Sequence, residues 1–116
     1  MLNLKWAALA GGDYASLDRV ILTRVTTIGV YIIWHGGPAP RVVRVGQGDV
    51  ADRLCVHRLD DEILAFGHDG LYVTWAAVPA TSIDGVERYL AETLAPIVGD
   101  RFPSTQAIPV NLPWAA

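Results

Sequence analysis

Residues 29–45 dictate a β-hairpin, and the rest of the chain must pack around it. Gly29 to Trp34 reads GVYIIW, β-branched and aromatic, which predicts a buried strand. His35 to Pro40 (HGGPAP) is a turn by composition. Arg41 to Val45 (RVVRV) alternates with period two and reads as the partner strand.

Gly46-Gln47-Gly48 is expected to end that strand, and Asp49 to cap a helix running to about Leu59. Asp60 to Gly70 is acidic, with a short helix at Glu62–Phe66, and Leu71 to Val78 (LYVTWAAV) is a third strand. Thr81 followed by Asp84 resembles a capping box for a helix to about Ala95, which Pro96 stops. Residues 14–25 mix apolar and charged positions and read as a short helix. Prolines 96, 103, 109 and 113 make the tail an extended wrap. The expected fold class is α/β in the α+β sense: a small three-stranded, mostly antiparallel sheet flanked by helices. The chain reads as one domain over 1–116, with its core at about 28–100 and the wrap at 101–116.

Hydrophobic residues make up 52% of the 116, enough for a packed core and against long disorder. No run approaches the ~20 apolar residues of a membrane span, and the apolar start is too short for a secretory signal. A lone Cys55 permits no internal disulfide, which predicts a cytoplasmic protein. The formal charge is −3, but it is uneven. Residues 19–58 carry six arginines against two aspartates, a net of +4; residues 59–100 carry eight acids against one arginine, a net of −7. Eight of nine basic residues are arginine, the side chain suited to bidentate phosphate contact, so one half can face a polyanion.

On a wheel of the 49–59 helix, Arg53 and His57 fall one turn apart between Val56 and Val50. Apolar neighbours on both sides place them at a cleft or in a buried site, where a structural ion pair is the alternative. On the second helix Glu87 borders the stripe of Val86, Leu90, Ile83 and Leu94, so its carboxylate needs a cation, a metal or several hydrogen bonds. Tyr31, inside the first strand, reads as core. The three histidines and Cys55 make no zinc set, and Gly46-Gln47-Gly48 lacks the lysine of a phosphate loop.

The order of these pieces resembles the GIY-YIG nuclease superfamily over residues 28–100. Gly29-Val30-Tyr31 stands at the GIY position and Arg44-Val45-Gly46 at YIG. Arg53 and His57 follow on the first helix, then Glu87 with Pro96 nine residues on. Arg44 replaces the second tyrosine, the gap from Gly46 to Arg53 is one residue short, and Gly99-Asp100 stand where an asparagine is usual; Asn111 is a spatial candidate for it.

The resemblance implies a nucleic-acid endonuclease, with DNA favoured over RNA, using one Mg²⁺ or Mn²⁺ ion. Glu87 would hold the ion, and Arg53 would clamp the phosphate. Tyr31 would accept a proton from water, provided a cation lowers its pKa. His57 would orient Tyr31, Arg41, Arg44 and Gln47 would contact substrate, and selectivity would come from a protein partner, from homo-oligomerisation, or be broad. Two other readings stand beside it: a catalytically silent domain that binds nucleic acid or a protein, and a structural or regulatory module in which an Arg53–Glu87 ion pair merely holds the fold. The cutting mechanism requires the Glu87 carboxylate and the Tyr31 phenol to meet at one water-accessible spot. Opposite faces of the sheet would exclude it.

Overall fold

The computed structural model describes residues 1–99 and 101–114. Its strands are β1 (Ala15–Ser16), β2 (Ile28–His35), β3 (Arg41–Asp49) and β4 (Leu71–Ala77), and its helices α1 (Val50–His57), α2 (Asp61–Leu64) and α3 (Ile83–Leu94). The sheet is four-stranded and antiparallel in the order β1-β4-β2-β3. The α+β class holds, with one strand more than expected.

β2 is central because both of its faces are apolar. Tyr31 and Ile33 join the core beneath α1, with Val43, Leu54 and Ile63. Val30 and Ile32 join the core beneath α3, with Val45, Val86 and Leu90. Each core side chain of this size contributes roughly 1.5–3 kcal/mol, so the hairpin anchors both layers.

The 14–25 region is not a helix. Ala15 and Ser16 pair with β4, and only Leu22–Arg24 forms a 3₁₀ turn. The carbonyls a helix would need are taken by tertiary partners: Arg58 Nε donates to the Leu17 carbonyl at 2.7 Å, and its terminal nitrogen donates to that of Val20.

β3 also runs on through Gly46-Gln47-Gly48 to Asp49 rather than stopping at Val45, because each residue keeps a partner on β2. Asp49 caps α1, accepting from the Asp52 amide. The capping box at Thr81 does not form. Ser82 precedes α3 without a side-chain cap, and Asp84 points to a partner described below.

Ala95, in the left-handed region at φ 46°, ends α3 before Pro96. Ile97 and Val98 then donate to the Val42 and Val43 carbonyls, covering the upper edge of β3. In the tail Val110 bridges Leu2, and the Ile108 amide is bonded to the Gly85 carbonyl. Among the described residues no helix is long and apolar enough to cross a membrane.

Candidate active site

The site gathers around the lower half of β3, where alternation sends neighbouring residues to opposite faces. Arg44 and Gly46 pair with Ile33 and Tyr31 on the α1 side, while Gln47 pairs with Val30 on the α3 side. Gly46 is required by Tyr31: a Cβ there would overlap the phenol oxygen, so the ring lies across β3 toward its outer rim.

On the α1 side the Tyr31 hydroxyl lies 2.6 Å from His57 Nε2. Tyr31 is 1% and His57 3% exposed. Burial pushes the Tyr31 phenol above its ordinary value near 10, outweighing the Arg53 and Arg44 guanidiniums that pull it down. The condition for a phenol base, a cation that lowers its pKa, is therefore not met: desolvation of the phenolate exceeds the two cations. Burial also takes His57 down to about 4, with the Arg44 and Arg53 charges adding and Asp60 opposing. The imidazole is neutral at pH 7, so the phenol donates to Nε2. His57 Nδ1 is 4.0 Å from Asp60, too far for a hydrogen bond, and has no other partner among the described residues.

On the α3 side Glu87 is 8% exposed. Gln47 Nε2 donates to Glu87 Oε1 and to Asp84 Oδ1, each at 2.7 Å. Burial raises the Glu87 pKa and Asp84 adds to this, while the Gln47 amide and the Arg44 charge offset it. Asp84 is a participant that composition did not single out; its signal was its place one turn before Glu87 on the same helix face. The Gln47 amide lies between the two carboxylates and bonds to both. Turned over, it would present oxygen instead, giving two carboxylates and an amide oxygen. Mg²⁺ accepts such a partial shell and fills the rest with water, so the residues fit a hard divalent ion. Among the described residues no group of three His, Cys, Asp or Glu side chains is placed to hold a metal.

The Tyr31 phenol and the Glu87 carboxylate thus approach from opposite faces of the sheet. They do not meet as the phenol-base mechanism requires, and that mechanism is withdrawn. What reaches both is Arg44, whose charge acts on Tyr31, His57 and Glu87 alike. Its guanidinium packs against Gly99, which has φ 103° and no side chain to obstruct it. Arg44 Nε is buried with no hydrogen-bond partner among the described residues.

Arg53 is half-buried and its stem passes Gly48. No ion pair joins it to Glu87 among the described residues, so the structural-pair reading of those two is corrected. Val56, placed beside them on the wheel, is 52% exposed. Arg41 lies apart, exposed at the far end of β3 opposite His35, and borders a different hollow with Trp34 and Trp114. Asn111 cannot stand in for the missing asparagine, because its amide is bonded to Leu4 at 2.6 and 2.9 Å. Asp100 lies outside the described residues. No known family, curated protein or solved structure matches the chain.

Proposed function

We propose that the chain is a divalent-metal-dependent endonuclease of the GIY-YIG kind that cuts without the Tyr31 phenol as base, its centre wrapped around the outer rim of β3. The observation that carries this reading is Arg44. A guanidinium whose buried N–H has no acceptor among the described residues acts by its charge on a phenol, an imidazole and a carboxylate drawn from three elements. A phosphate oxygen would satisfy that donor with a charge-assisted bond.

Arg44 and Arg53 would hold the phosphoryl oxygens and stabilise the charge that grows there during attack. Glu87 and Asp84, with Gln47 turned over, would hold Mg²⁺ or Mn²⁺. A bound ion of this kind supplies a water of lowered pKa and further charge on the phosphate. Tyr31 stays protonated and acts on position: its bond to His57 fixes α1, and with it Arg53, against the sheet. Cytoplasmic residence belongs to the same proposal, consistent with a single exposed thiol at Cys55.

A second reading keeps the phosphate contacts without cutting. The full burial of the Tyr31 hydroxyl and the two-faced approach of Tyr31 and Glu87 favour it. One experiment separates the two. Supercoiled plasmid, branched DNA, single-stranded DNA and RNA are incubated with the protein in Mg²⁺ or Mn²⁺. Cutting that Glu87→Ala abolishes supports the nuclease. Salt-sensitive binding without a nick on any substrate supports the silent binder. Cutting by Glu87→Ala at the parent rate refutes the assignment of Glu87.

A further inference from the structure

A cavity of about 480 Å³ opens on the same sheet face as Arg53 and Tyr31, and neither the fold nor the rim site uses it. Its floor is Trp75 on β4, the direct cross-strand partner of Tyr31. Its walls include Leu9, Tyr14 and Val25, and Arg19 and Arg24 stand among its lining residues. Trp75 is half-buried, while both arginines are exposed. Neither arginine is paired with a carboxylate among the described residues. Val20 in its wall accepts a bond from Arg58, the residue that caps α1, which ties the cavity to the helix that carries Arg53.

An apolar slot with an indole at its base and two free guanidiniums beside it matches one kind of occupant: a flat, apolar-faced group attached to an anion. We propose that this cavity receives an unpaired nucleobase of a single-stranded segment, stacked on Trp75, with its phosphates on Arg19 and Arg24. The proposal rests on the nucleic-acid reading above and names the strand state that reading leaves open. Base stacking on an aromatic side chain tolerates any base, and each arginine–phosphate contact adds salt dependence. The cavity, one strand from Tyr31, would seat a base flanking the phosphate held at the rim. The substrate would then be single-stranded, or locally opened as at a branch or flap.

The test uses a fluorescein-labelled single-stranded oligonucleotide, followed by anisotropy against salt. In parallel, 2-aminopurine in the same oligonucleotide reports stacking by quenching. Arg19→Glu/Arg24→Glu alters only exposed side chains, and Trp75→Phe keeps a ring where Trp75→Ala removes it. The expected results are binding weakened at least tenfold in the arginine pair and in Trp75→Ala, a flatter salt dependence in the arginine pair, and quenching lost in Trp75→Ala and recovered in Trp75→Phe. If these variants bind and quench like the parent while Arg44→Ala weakens binding, the cavity proposal falls and the rim site stands. A parent protein that binds no nucleic acid overturns both. Free dAMP that displaces the oligonucleotide at equal concentration would make the ligand a mononucleotide and overturn the strand assignment.

Discussion

Replacing Tyr31 by phenylalanine deletes one oxygen and should still be costly. Among the described residues the hydroxyl is the sole partner of His57 Nε2, at 2.6 Å, and Nδ1 already has none. The variant would leave a 3% exposed imidazole with both nitrogens unpaired. Stranding a buried polar group costs ~1–3 kcal/mol, whereas removing both partners together can be nearly neutral. At the usual unfolding entropy per residue, 116 residues convert 1 kcal/mol into about 4 °C. Tyr31→Phe should therefore lower the midpoint by roughly 4–12 °C in thermal unfolding, with a matching shift in urea. His57→Leu on top should cost less than the two single changes combined, with a coupling of about 1–3 kcal/mol. A Tyr31→Phe variant within about 0.5 kcal/mol of the parent, the scatter of neutral substitutions, would refute the buried pair.

Three further outcomes follow from the same geometry. His57 falls from 6.5 unfolded to about 4 folded, so the unfolded chain binds more protons between those values. Stability should be full above pH 6.5 and decline by about 3 kcal/mol toward pH 4; urea titrations of parent and His57→Leu should show the variant lacking most of that slope. Burial raises the Glu87 pKa, so its charge opposes folding above pH 4.5. Glu87→Gln should unfold at the same or a higher temperature at pH 7 while losing Mn²⁺ binding by calorimetry, a trade expected of a functional carboxylate. Gly46→Ala forces a methyl into the Tyr31 phenol and should cost ~1–3 kcal/mol by urea unfolding, as overpacking does.

The hairpin was legible because GVYIIW and RVVRV carry their period locally, and Asp49 carries its cap in one side chain. The burial of His57 and Glu87 was legible on the helical wheels, since both border apolar stripes. What the wheels lacked was the sheet between the helices. Tyr31 and Gln47 turn to opposite faces of the hairpin, so α1 and α3 bring their polar groups to opposite sides of β3. Residues 14–25 misread as a helix for a related reason: their carbonyls are claimed by Arg58, some forty residues on, which no local pattern reports. That the arginines pull the Tyr31 pKa down follows from charge alone; that burial outweighs them is decided only by packing.

Whether the two faces of β3 serve one centre is decided most directly by line broadening from Mn²⁺ in NMR spectra of the labelled protein. Broadening of Gln47 and Glu87 on one face together with the Arg44 and Tyr31 side chains on the other, abolished by Glu87→Gln, is the expected result. Broadening limited to the α3 side, or none near Glu87, would contradict a single ion-bearing site around the rim.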